Sequence, residues 1–217
     1  MMELPARLKE WVRDRPRLYK FINRARRFRL SMVWKYLIDI RPLAIPRFYI
    51  YRLYLCVRRP HGIKLHLGCG KIKLPGFVNI DHRHTRATDF VCSVTKLPHL
   101  SNSVDVIESY HMIEHISHTK VRAMLQEWRR VLKPNGQLVI ECPDFDRAIE
   151  RYQAGEEQRL MAIFGLHRFP GDVHLFGYNF VRLKRLLEEC GFESVTRHKT
   201  QDYHGPDGIR AECYKAE

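Results

Sequence analysis

This chain of 217 residues has no apolar run approaching the ~20 residues of a membrane-spanning helix. Its first residues also carry too many charges for a secretion signal. Its six cysteines, Cys56, Cys69, Cys92, Cys142, Cys190 and Cys213, include no CxxC pair. That excludes the usual zinc and disulfide frameworks and fits a reducing, cytoplasmic compartment. No Walker-type phosphate loop is present, and no internal repeat. Acidic residues are scarce at one end only. Residues 1–60 hold 4 Asp/Glu against 16 Lys/Arg, whereas the remainder holds 20 against 22. A formal charge of +14 is therefore mostly the property of the first quarter. The composition changes near Arg58-Arg59-Pro60, which divides the chain into a basic arm, 1–60, and a nearly neutral domain, 61–217.

In the arm, Leu18, Ile22, Ala25, Phe28, Met32, Tyr36 and Ile40 recur at helical spacing, with arginines on the opposite face. Pro42 and Pro46 stop that helix, and "FYIYRLYLCVRR" adds a second apolar, aromatic and basic stretch. Such a helix either packs on the domain or a second subunit, or meets an anionic lipid surface or nucleic acid. The abundance of Phe, Tyr, Trp and Leu favours lipid, on the inner face of a membrane.

Beyond residue 61 short strands alternate with longer helices. "IKLHLG", "FVNID", "DFVCSV", "SVDVIESY", "QLVIECP", "FESVTRHK" and "IRAECYKA" read as strands. "HTKVRAMLQEWRRVL" and "NFVRLKRLLEECG" read as helices, the second capped by Asn179 and stopped by Gly191. "KPNG" reads as a turn. Alternating strands and helices imply an α/β, mainly parallel sheet covered on both faces.

Gly68 and Gly70 end the first strand and Asp81 ends the second. A glycine loop there lets backbone approach a ligand, and an acidic residue after the next strand can grip two ribose hydroxyls. The third glycine of a dinucleotide site is missing, and no helix fits between Gly70 and Phe77. The ligand need not carry phosphate.

"HLGCG", "VNID", "TKLPHLSNSVDVIESYHMIEHI" and "EWRRVLKPNGQLVIECPD" follow one another much as in class I S-adenosylmethionine-dependent methyltransferases. The order resembles most a branch of bacterial methyltransferases that often accompanies glycan and lipopolysaccharide biosynthesis. The resemblance covers about residues 62–217. It implies a Rossmann-like, seven-stranded, mostly parallel methyltransferase sheet carrying an N-terminal basic helical arm. It further implies that Gly68, Cys69 and Gly70 pass beneath the methionine part of S-adenosylmethionine and that Asp81 holds its ribose. Ser93 to Leu97 would border the adenine, and His111 would stand beside the sulfonium. His66 and Ser93 depart from the usual pattern, which has acidic residues at both places.

A hydroxyl acceptor needs a neighbouring base, and histidine suits neutral pH. Two clusters offer one. In "HMIEH", His111, Glu114 and His115 match the spacing of an inverted zinc peptidase. They also resemble positions that bind a divalent ion in some hydroxyl methyltransferases. Otherwise they cap a helix beside the pocket, and no metal is assigned. In "GLHRFPGDVHLFGYNF", His167, Arg168, Asp172, His174 and Tyr178 lie on a loop able to face an acceptor. His174 is the first choice of base, followed by His115 and His111. The implied substrate is a small molecule or glycan bearing a hydroxyl. RNA methylation and a non-catalytic binding protein are the rival readings.

Overall fold

The computed structural model describes residues 44–58, 60–201 and 207–217. The helix expected over 18–40 lies outside them. The chain divides into two compact units at Arg58/Arg59. In the first, α1 (Ala44–Arg58) takes up the second apolar stretch of the arm. Pro46 falls in the first turn of α1, where the missing N–H would have no intrahelical partner.

In the second unit, β1 (Lys64–Leu67), β2 (Val78–Asp81), β3 (Phe90–Val91) and β4 (Val104–Tyr110) precede helix α2 (Val121–Val131). After β5 (Leu132–Pro143) come α3 (Phe145–Gln153), α4 (Leu160–Phe164) and α5 (Phe180–Glu189). Strands β6 (Phe192–His198) and β7 (Gly208–Lys215) complete it. The seven strands lie in one sheet in the order β3-β2-β1-β4-β5-β7-β6. The pairs β2–β3, β1–β2, β1–β4 and β4–β5 are parallel, while β7 runs antiparallel to both β5 and β6. The sheet is thus mixed, because β7 returns between β5 and β6. The chain runs from β1 outward to β3 and then crosses to β4 on the other side of β1. The carboxyl ends of β1 and β4 therefore flank the point where strand order reverses, the usual place for a ligand crevice.

Helix α2 buries Val121, Met124, Leu125, Trp128 and Val131, and the next residue, Leu132, already belongs to β5. The Trp128 indole N–H donates to the Val94 carbonyl at 2.9 Å, so its one polar atom is satisfied within the core. Asn179 caps α5 by accepting from the Arg182 N–H at 2.7 Å, and Gly191, at φ 84°, ends the following turn. The "KPNG" turn is absorbed into β5. Leu132 pairs with Val104 and Gln137 with Val106, so residues 133–136 bulge out of the ladder, with Asn135 at φ 59°. Helices α3 and α4 occupy a stretch that carried no clear helical stripe. Ala148 is the buried residue of α3, and α4 has none, so hydrophobic periodicity had little to show there.

Candidate active site

The glycine loop follows β1 without any helix before β2. Gly68 has φ 73°, and a Cβ added there would meet Met112 Cγ at 2.3 Å. It is glycine because Met112, two residues beyond the end of β4, packs directly against it. Gly70 has φ 52°, yet a Cβ there would meet nothing within 4 Å. Its backbone faces open space. Asp81, at the end of β2, accepts from the Gly70 N–H at 2.9 Å through Oδ2 and from the Arg83 N–H at 2.8 Å through Oδ1. Oδ1 also has His82 Nδ1 at 3.2 Å and Arg83 Nε at 3.6 Å, so Oδ2 keeps the freer lone pair while the carboxylate closes the loop. Thr85 Oγ1 donates to the Gly70 carbonyl, and the Thr85 backbone N–H donates to Thr88 Oγ1 at 3.2 Å, locking the loop from the other side. The sequence reading missed these threonines; no motif marks them, because their partners are backbone atoms.

Other expected cofactor residues have structural partners. His66 is 1% exposed and pairs through Nδ1 with Asn79 Oδ1 at 2.9 Å, between β1 and β2. Burial lowers its pKa, against the Asn79 hydrogen bond, and favours the neutral ring. Its side chain is thus engaged with the core rather than turned to the crevice. Asn79 also accepts from the Leu74 N–H and donates to the Leu74 and Phe77 carbonyls, which shapes the segment between Gly70 and β2. Cys69 is 3% exposed, and burial pushes its thiol up to about 11, so it is an inert packing group. Its sulfur lies 3.8 Å from Thr88 Oγ1. Ser93 is exposed, with its hydroxyl 2.7 Å from that of Thr95. Leu97 is 1% exposed, and its N–H donates to Glu127 of α2 at 2.7 Å; its side chain belongs to the core.

The two histidine clusters read separately from the sequence form one. His111, at φ 48°, starts the segment after β4, and a short 3-10 turn carries Ile113 to His115. Glu114 is 2% exposed, and neither carboxylate oxygen accepts a hydrogen bond among the described residues. His111 Nδ1 lies 3.4 Å and His174 Nε2 4.0 Å from Glu114 Oε1. The His115 and His174 rings meet edge to face with centroids 4.9 Å apart. His115 Nδ1 is 3.0 Å from the Val173 carbonyl and His174 Nδ1 is 2.9 Å from the Ala162 carbonyl. A carbonyl only accepts, so both Nδ1 atoms carry a proton and both Nε2 lone pairs remain available in the neutral rings. Burial works to raise the Glu114 carboxyl, but His111, His115 and His174 outweigh it and hold it below its ordinary value. Burial lowers the His174 pKa, only partly offset by Glu114.

The backbone binds this arrangement together. Leu175 N–H donates to the Glu114 carbonyl at 2.7 Å, and His174 N–H to that of Phe164 at 3.0 Å. Gly165, at φ 87°, lets the loop fold back; a Cβ there would meet the Asp172 carbonyl at 2.4 Å. The remaining candidates of that loop are otherwise engaged. Asp172 is 4% exposed and bound to Arg168 by two hydrogen bonds to its side chain, which holds its carboxyl at about 2. Tyr178 is 1% exposed and cannot face an acceptor as expected. His167 Nε2 lies 2.9 Å from the Phe164 carbonyl. The loop also reaches the end of β2, where Arg83 stacks on Phe169 at 3.7 Å from the ring centre.

Residues 75–140 match the family described as a methyltransferase domain. No curated protein matches the chain by sequence. Among solved structures, the chain is similar to an S-adenosylmethionine-dependent methyltransferase from Methanosarcina mazei. The TM-score is 0.52 at 17% identity, covering 75% of this chain and 97% of that one. It is also similar to one from Archaeoglobus fulgidus, with a TM-score of 0.50 at 13% identity, covering 77% and 94%. At these identities the structures share the fold. The matched segment is that of a methyltransferase domain, and it lies in a fold shared with S-adenosylmethionine-dependent methyltransferases.

Proposed function

We propose that the chain methylates a hydroxyl of a small glycan or related envelope metabolite. The observation that carries the cofactor half is Gly70, held by Asp81 and left-handed, with open space where a side chain would be. Gly68, Gly70 and Asp81 would hold S-adenosylmethionine, with Asp81 on the ribose and His111 beside the methionine end. When bound, S-adenosylmethionine supplies an electrophilic methyl on a sulfonium. The chain's own work is to position the acceptor and remove its proton.

Met112 packs on Gly68, so the glycine loop and the Glu114–His115–His174 cluster are neighbours in structure. The cluster is where the acceptor hydroxyl loses its proton. In the protein by itself, His174 Nε2 is the accepting atom. Its pKa is lowered by burial and its tautomer fixed by the Ala162 carbonyl, so it is neutral and able to act as a base at pH 7. The arm would bring the enzyme to an anionic leaflet. Tyr49, Ile50, Leu53 and Val57 are exposed on α1 and fall within an arc of about 100°, with Arg52 and Arg58 outside it.

Transfer of labelled methyl from S-adenosylmethionine to sugar-hydroxyl acceptors, with RNA as a parallel arm, tests the acceptor. Incorporation into RNA in preference to sugars would overturn this reading. Cosedimentation of the full chain with phosphatidylserine vesicles tests the arm, and binding to neutral vesicles alone would refute a charge-led contact.

A further inference from the structure

We propose that Glu114, His115 and His174 form a binding site for one divalent transition-metal cation of the zinc type. The inference rests on the reading of this cluster as the acceptor site and goes beyond it. Three observations converge. First, Glu114 is a buried carboxylate whose two oxygens accept no hydrogen bond among the described residues, although charge taken out of water demands a partner. Second, one carboxylate oxygen and one nitrogen from each of His115 and His174 lie within 4.8 Å of one another. Third, both rings are tethered through Nδ1 to backbone carbonyls, at 3.0 and 2.9 Å. That is how metal-binding imidazoles are commonly oriented, with Nε2 presented to the ion.

The dimensions agree with a small cation. Zinc ligands sit at about 2.0–2.2 Å, so two ligand atoms on one tetrahedral ion are about 3.3–3.6 Å apart. His174 Nε2 and Glu114 Oε1 are 4.0 Å apart. The remaining spread closes with small rotations of side chains whose backbone anchors stay in place. Two imidazoles and one carboxylate make a set that suits zinc, iron(II), cobalt or manganese better than magnesium or calcium, which take oxygen ligands. Three protein ligands leave a coordination position open, and both histidines are only partly buried, so solvent or a hydroxyl can reach it. The ion would neutralise Glu114 and lower the pKa of a coordinated hydroxyl. The Glu and His come from the segment after β4 and the second His from the loop after α4, so no contiguous sequence motif spells this set.

The test uses the untagged full chain, stripped with a chelator and titrated with cobalt(II) and zinc, with S-adenosylhomocysteine binding measured in parallel. We expect one equivalent of cobalt with the visible absorption of a low-symmetry site, displaced by zinc. Glu114→Gln and His174→Ala should each weaken it at least about tenfold while circular dichroism stays unchanged. A wild-type chain that takes up no stoichiometric metal overturns the proposal, as do variants that both bind as tightly. If S-adenosylhomocysteine still binds in that case, the methyltransferase reading stands and His174 acts as the base itself. Should S-adenosylhomocysteine alone fail to bind while metal is taken up, the metal site stands and the cofactor reading falls.

Discussion

Replacing Asp81 by alanine should harm the protein twice. The structure gives the carboxylate two backbone donors, the N–H groups of Gly70 and Arg83 at 2.9 and 2.8 Å. Hydrogen bonds to an ionised group contribute about 1.5–3 kcal/mol each. Both go to one buried side chain, and at the lower end of that range the pair contributes about 3 kcal/mol. For a chain of this size that corresponds to a fall in Tm of roughly 6–12 °C. Loss of the ribose grip should weaken S-adenosylhomocysteine binding by more than tenfold, a loss of about 1.4 kcal/mol or more. Asp81→Asn should fall between, because one oxygen still accepts while its NH2 must face one of the two N–H donors. Calorimetric titration at low temperature, with circular dichroism to confirm folding, separates the two effects. A Tm within about 2 °C of wild type would show that the loop is held by other contacts, and an unchanged affinity would remove Asp81 from the cofactor site.

His174→Ala should lower turnover by roughly 10²–10⁴-fold and leave S-adenosylhomocysteine affinity intact, as read from single-turnover kinetics and calorimetry. Full turnover in that variant would move the base elsewhere. Gly68→Ala should destabilise more than Gly70→Ala, since the first sets a Cβ against Met112 and the second meets only the left-handed strain of about 1–2 kcal/mol; equal losses in chemical denaturation would contradict this. Burial, reinforced by Arg130, lowers buried His99 to about 4, so the unfolded chain binds a proton there that the folded one resists. Stability is then complete above about pH 6.5 and falls by roughly 3 kcal/mol as pH drops to 4, at 1.36 kcal/mol per unit. His99→Leu should flatten that part of the pH profile, and an unaltered slope would assign it to other groups.

What could be read from sequence was what repeats or what stands at a strand end. The seven strands showed as apolar segments, α2 as a longer helical segment between two of them, and α5 as Asn179 and Gly191 at its two ends. Gly68, Gly70 and Asp81 were legible because each follows a strand that is itself legible. Helices α3 and α4 were not, since they bury almost nothing. Nor could sequence show that His66 and Leu97 turn inward, because a pattern gives a residue's place in a strand or loop and not its partner. The union of His174 with Glu114 and His115 depends on Gly165 folding the loop back and on backbone bonds from Leu175 and His174. Those are long-range contacts made by peptide groups, which are the same in every residue.

Calorimetric titration of the full wild-type chain with S-adenosylhomocysteine tests the central claim most directly. One site per chain is expected, weakened more than tenfold by Asp81→Ala. A folded protein that releases no heat and shows no ligand-dependent rise in Tm would contradict it.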